Sequence, residues 1–270
     1  MTSQGVTAGM QSPRPACPPF STADETAPAM TAYHFPSHVH YAVVQDAIIF
    51  MDLRADEYSL LTGEKARLFS ALFTPSVRSI ESEFLIDPTA PEEGASARHA
   101  LVTELLNGDL LSPGAEAAPV KPADLPPPRE DFLAAGDAGV PRIRPRHVGR
   151  FFAACLVSTW RLRFMTLERT IRAIERRRGK RTAPHPIDRY ELQRLVALFR
   201  RMRPLYPKDA LCLFDSLVLL EFLAPYGCFP HWVFAVTLSP WSAHCWVQYA
   251  DLCLNEDAER ARQYTVILVA

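Results

Sequence analysis

Eight prolines lie between Pro113 and Pro145, three of them consecutive at Pro126-Pro127-Pro128, and few large apolar side chains accompany them. Proline fixes φ and has no amide hydrogen, so this stretch interrupts any helix or central strand and reads as an extended spacer. Both flanks carry patterned apolar residues. For 270 residues, at ~150 residues per domain, two domains are expected, each able to bury a core. The boundaries read as 31–112 and 146–270, joined by a proline-rich linker at 113–145. Residues 1–30 read as disordered and lack the basic head and apolar stretch of a secretory signal.

Lys and Arg number 29 against 30 Asp and Glu, a net charge of −1, which argues against nucleic acid as partner. The balance hides a basic stretch: residues 142–181 hold 13 Lys or Arg and only Glu168 and Glu175. Arg172, Arg176, Arg177, Arg178, Lys180 and Arg181 read by default as a solvated helical face. The most apolar tract, Ala210 to Val236, is broken by Asp215, Glu221, Pro225, Gly227, Pro230 and His231, so it reads as a soluble core and not a membrane span. The six cysteines form no C-x-x-C pair and no zinc-spaced cluster. A reducing cytoplasm without structural disulfides is expected, and neither a metal nor a cofactor.

In the amino-terminal part, His38–Val44, Ala47–Leu53 and Tyr58–Leu61 form a three-strand meander, followed by helical spacing in Lys65–Phe73 and Arg98–Leu106. In the carboxy-terminal part, Val148–Arg178 reads as one or two amphipathic helices with Phe151, Phe152, Leu156, Trp160, Phe164, Leu167 and Ile171 on the apolar side. Helices Tyr190–Met202 and Leu211–Leu223 follow, then strands Trp232–Leu238, His244–Tyr249 and Leu252–Asn255. The overall class is α+β.

The chemistry concentrates at a helix start. Asp209 can cap the helix that follows, which places Cys212 in its first turn. There the positive end of the helix dipole favours the thiolate, the nucleophilic form. Alone, such a cysteine is more often a small buried apolar residue. The order of elements changes that balance. A helix, a strand, a turn through Pro240 and a returning strand that opens with His244 carry an imidazole back toward the sulfur. Asn255, Glu256 and Asp257 fall at the strand end nearest His244, where one of them can orient the ring. Cys228, Cys245 and Cys253 read as core.

The run Cys212-Leu-Phe-Asp-Ser-Leu-Val-Leu-Leu-Glu-Phe-Leu, then Pro230-His-Trp-Val-Phe-Ala-Val, Ala243-His244-Cys-Trp-Val-Gln and Leu254-Asn255, resembles the transglutaminase-like cysteine protease that removes the leader in lasso-peptide biosynthesis. The likeness covers roughly residues 146–270. It implies a papain-like Cys-His-acid triad that cleaves a ribosomally made precursor after its leader, typically with Thr second before the scissile bond. Cys212 then takes the place of the nucleophile and His244 that of the base. Family members usually carry an Asp straight after the Leu-Asn pair, whereas here Glu256 stands there and Asp257 follows. Glu256 is the preferred third member and Asp257 the alternative.

Residues 31–112 are similar to the winged-helix-like peptide-recognition module shared with the pyrroloquinoline-quinone chaperone. The likeness rests on Val39-His-Tyr-Ala-Val-Val, Ile48-Ile-Phe-Met-Asp-Leu, Tyr58-Ser-Leu-Leu and Leu105-Leu-Asn-Gly-Asp-Leu. It implies that a leader adds as a strand beside the third strand of the meander and lays side chains toward the last helix. Tyr58, Leu60, Val102 and Leu106 are the candidate leader-binding residues. No P-loop or G-x-G-x-x-G occurs, so ATP chemistry is expected of a partner, a separate asparagine-synthetase-like macrolactam cyclase. A non-catalytic leader-binding scaffold and an acyl transferase using the same cysteine are the rival readings. Tethering raises the effective substrate concentration to ~mM. Deletion of residues 1–112 is therefore expected to raise KM for full-length precursor strongly and to change kcat much less.

Overall fold

The computed structural model describes residues 32–72, 84–85, 95–114, 125–132, 142–179, 187–206 and 211–270. In the amino-terminal part, β2 (Val39–Val44), β3 (Ala47–Asp52) and β4 (Glu57–Leu61) form the expected antiparallel meander. The Asp52 carboxylate shapes the β3–β4 turn by accepting from the amides of Arg54 at 2.7 Å and Ala55 at 3.1 Å. Helices α1 (Gly63–Leu72) and α2 (Ala95–Asn107) cover one face. Three short strands the sequence did not announce, β1 (Ala32–His34), β5 (Phe84–Leu85) and β6 (Ser112–Pro113), pair in the order β5-β1-β6.

Period-two alternation gives the meander two buried faces. Val39, Ile48, Phe50 and Leu61 pack with Phe69 of α1 and with Leu101, Val102 and Leu105 of α2. Ala42, Val44, Ile49, Met51 and Leu53 point the other way and join the core of the carboxy-terminal part. Strand β2 lies against β8 (His231–Leu238) and β11 (Thr265–Val269). Outside this contact, Glu168 accepts from Arg172 at 2.7 Å and pairs with Arg54 at 3.6 Å, and Arg172 also donates to Ser37.

The carboxy-terminal sheet runs β11-β8-β9-β10-β7, with β7 (Glu130–Asp131), β9 (Trp241–Tyr249) and β10 (Leu252–Cys253). All pairs are antiparallel except β7–β10. Helix α6 (Cys212–Leu223) is buried on nearly every side. It sits between one face of the sheet and the helices α3 (Pro145–Phe164) and α5 (Arg189–Met202), with α4 (Leu167–Gly179) beside α3. The short α7 (Ala258–Ala261) covers the other sheet face with Leu125 and Tyr264.

Three expectations change. The described part of the proline-rich stretch is no free spacer: β7 extends the sheet, the Pro126 carbonyl accepts from Gln248 at 2.8 Å, and the Pro128 carbonyl accepts from Arg262. Triple proline suits an edge segment because its carbonyls remain available although its amides do not. In α3 the apolar side named from the sequence is divided. Phe151 is buried with Ala154, Cys155 and Ser158, while Phe152, Leu156, Trp160 and Phe164 are exposed. The buried face carries the smaller residues, which let α3 approach α6 closely. Much of the basic stretch is likewise engaged: Arg161 and Arg177 both pair with the buried Glu221, and Arg178 contacts the His231 ring at 2.7 Å.

The shared core revises the deletion expected to act mainly on KM. Removing residues 1–112 strips apolar cover from the carboxy-terminal part and impairs its folding. Ile49, fully buried at this junction, reports on it. Ile49→Ala is expected to destabilise by about 2–5 kcal/mol and to move one cooperative denaturant transition. An early transition confined to the amino-terminal part would contradict a common core.

Candidate active site

Helix α6 begins at Cys212, with Leu211 in extended geometry (φ −107°, ψ 121°) as the entering residue and its carbonyl accepting from the Asp215 amide at 2.9 Å. Cys212 is thus the first helical residue, at the positive end of the dipole. Asp209, the expected cap, lies outside the described residues. Asp215 accepts from Arg203 at 2.6 Å, which ties the first turn to the end of α5.

The β8–β9 hairpin turns at Ser239-Pro240, and its register sets Ala235 opposite His244 and Phe234 opposite Cys245. Phe234, Val236, Cys245 and Val247 face α6, so the helix start rests over Cys245 and next to His244. The His244 ring hydrogen-bonds Cys212 on one side. On the other, its Nε2–H donates to Glu256 Oε2. Nδ1 is therefore the nitrogen toward the sulfur. Tyr264 flanks the ring at 5.4 Å between centroids.

Glu256 is brought to the ring by the chain after β10. Its neighbour Asn255 accepts from the Val247 amide at 2.7 Å and donates to Ser216 Oγ of α6 at 3.0 Å. This tie locks helix, hairpin and loop together. Asp257, the alternative third member, caps α7 instead, accepting from the Arg260 amide at 2.8 Å. The alternation of an extended chain directs the two carboxylates to different places.

Electrostatics follow the contacts. The Cys212 thiol is pulled down to about 4, first by a hydrogen bond from the Cys245 thiol and then by His244, while burial opposes the shift. The Cys245 amide also donates to it. His244 is pushed up to about 9 by its hydrogen bonds to Cys212 and then Glu256, against burial. Burial works to raise Glu256, but His244, the Asp257 amide and Arg260 outweigh it and hold the carboxyl below its ordinary value. Cys245 moves the opposite way to Cys212: donation to the neighbouring sulfur, then burial, raise it well above an ordinary thiol. One cysteine is held as thiolate by a second that stays protonated. The sequence reading took Cys245 as core only, and strand alternation alone gave no sign that it also touches Cys212.

The four candidate leader-binding residues do not share one surface. Tyr58 and Leu60 lie opposite Met51 and Ile49 and point to the catalytic side, where Tyr58 meets Trp241 edge-on at 5.7 Å between centroids. Val102 is only 4% exposed inside the other core, and Leu106 is half-buried against it. Val102 is therefore a packing residue. Among the described residues no group of three or more His, Cys, Asp or Glu is placed to hold a metal ion, and no helix is long and apolar enough to cross a membrane.

A sulfur at a helix start, an imidazole on a neighbouring strand and a carboxylate behind it define a papain-like arrangement. The sequence profile of the transglutaminase-like superfamily matches residues 154–269, a span that holds Cys212, His244 and Glu256. This part of the chain is a transglutaminase-like superfamily domain, a class that generally has cysteine-protease or acyltransferase activity. No curated protein and no solved structure gave a significant match.

The thiolate and imidazolium coexist from about pH 4 to about pH 9. Acid below that window protonates sulfur, and base above it removes the ring proton. Hydrolysis by a Cys-His pair should follow a bell-shaped kcat/KM with limbs near those values. Glu256→Ala removes the support for the imidazolium, so the alkaline limb should move to lower pH and kcat fall by about 10²-fold or more. Asp257→Ala should leave the profile in place and cost about 1 kcal/mol of stability through the lost cap.

Proposed function

We propose that the protein is the leader peptidase of a lasso-peptide pathway, which binds a ribosomally made precursor and hydrolyses its leader–core bond through Cys212, His244 and Glu256. The observation that carries the hydrolytic part is the single hydrogen-bonded line from Cys212 through His244 to Glu256.

The steps follow from that line. The Cys212 thiolate adds to the scissile carbonyl, and the Cys212 amide at the helix start is the candidate donor to the resulting oxyanion. The His244 imidazolium gives its Nδ1 proton to the departing amine, the C–N bond breaks and a thioester remains. Neutral His244 then takes a proton from water, hydroxide displaces the sulfur, and the leader carboxylate leaves as the ion pair is restored. Glu256 keeps the ring in its tautomer and balances its charge.

The leader part of the reading rests on strand β4. Among the described residues β4 pairs only with β3, so its outer edge offers free amides and carbonyls to an added peptide strand. Alternate residues of such a strand would meet Leu106 on one face and Tyr58 and Leu60 on the other. Leu60 is 50% exposed, which suits a contact with substrate. The released core would pass to a separate ATP-dependent cyclase in the cytoplasm.

Mass spectrometry of precursor incubated with the protein separates the readings. A cut at the leader–core junction supports the peptidase, an amine adduct indicates acyl transfer, and unchanged precursor indicates a scaffold. Cys212→Ala is expected to abolish the cut while leader affinity stays within about 1 kcal/mol of the parent, because it removes one sulfur atom and leaves the backbone edge of β4 unchanged. Cleavage by Cys212→Ala would remove this sulfur from the mechanism.

A further inference from the structure

The amino-terminal sheet does more than offer an edge: it reaches the catalytic groups. Tyr58 belongs to β4, yet it packs against the same core as Cys212, Cys245 and Leu238. Its ring meets Trp241, which opens β9 three residues before His244 and is 51% exposed. Along β9 the alternation puts Trp241, Ala243 and Cys245 on one face. Cys245 is covered by Cys212, whereas Ala243, the small residue between, is exposed. The spacing from Trp241 to Cys245 is four residues, about 13 Å in a strand. Ala243 thus lies exposed on one face of β9, between Cys212 at one end and the Tyr58–Trp241 ring pair, drawn from two parts of the chain, at the other. Burial pushes the Tyr58 hydroxyl up to about 12, and the nearby Cys245, Asp56 and Cys212 charges add to the shift, which agrees with its closeness to the sulfurs.

We infer that Tyr58, Trp241 and Ala243 form an apolar subsite that receives a large apolar side chain of an extended peptide, three residues before the bond Cys212 attacks. This deepens the peptidase reading, since the subsite selects substrates only if Cys212 acts on peptides. The shape supports it. Two aromatic rings set edge to face, part exposed and part buried, present their remaining surface to a guest, and an exposed alanine leaves it room. The amino-terminal sheet thereby takes part in selecting the bond to be cut, in addition to any capture of a distant leader.

The test uses the full chain and capped tripeptide chloromethyl ketones, which alkylate a thiolate with loss of chloride. The third residue before the ketone is varied between Gly, Leu and Phe with Thr held second, and the rate of Cys212 modification is followed by mass spectrometry. Iodoacetamide serves as a control for thiolate reactivity. Because alkylation needs no hydrolysis, it reads the subsite even if the protein fails to cleave precursor, and the two failures are distinguishable.

The parent is expected to react about tenfold or more faster with Leu or Phe than with Gly at that position. Tyr58→Ala and Ala243→Leu should each bring that ratio to within about twofold and leave the iodoacetamide rate nearly unchanged, whereas Tyr58→Phe should keep the preference. Absence of any preference in the parent, or a preference that survives both Tyr58→Ala and Ala243→Leu, overturns the proposal. So does an equal fall with peptide probe and iodoacetamide in both variants, which would make these residues supports for the fold.

Discussion

The contact between the start of α6 and the inner face of β9 is the constraint from which the rest follows. A helix buried on nearly every side has no freedom to rotate or slide, because Phe214, Leu217, Val218 and Leu220 are each held in close-packed surroundings. Its first residue is therefore fixed over Cys245 and beside His244. The Ser216–Asn255–Val247 hydrogen bonds pin the same helix to the loop that carries Glu256. Positioning of three chemical groups from three chain segments thus reduces to one packing problem, solved by the hydrophobic core and checked by one buried polar tie.

That packing also sets the charges. The Cys212 thiol is pulled down because three donors converge on it, two of them from Cys245 and one from His244. The imidazolium is stable at neutral pH because it sits between two anions, the thiolate and Glu256. Each member of the line is stabilised in its charged form by the next, which is why burial, acting alone on any of them, does not neutralise it.

The meander and the carboxy-terminal sheet are folded against each other. Ala42, Val44, Ile49, Met51 and Leu53 form part of one core with β8, β9 and α6, and the proline-rich stretch adds an edge strand to the same sheet. The chain is divided in sequence but joined in packing, so the β4 edge and the Tyr58 ring hold a set position beside the catalytic groups.

What the sequence by itself determined is local. The periodicity of Val39–Val44, Ala47–Asp52 and Cys212–Leu223, and the order helix, strand, strand, depend on neighbours a few residues apart, and Cys212 and His244 were legible from them. Glu256 and Asp257 could not be separated by that means, because which carboxylate reaches the ring depends on how the chain leaves β10 and enters α7. The exposed side of α3, the partner thiol at Cys245 and the meeting of Tyr58 with Trp241 lay outside it too. These were decided by tertiary structure alone, since each depends on surfaces distant in sequence, and local propensity carries no information about which surface will be covered.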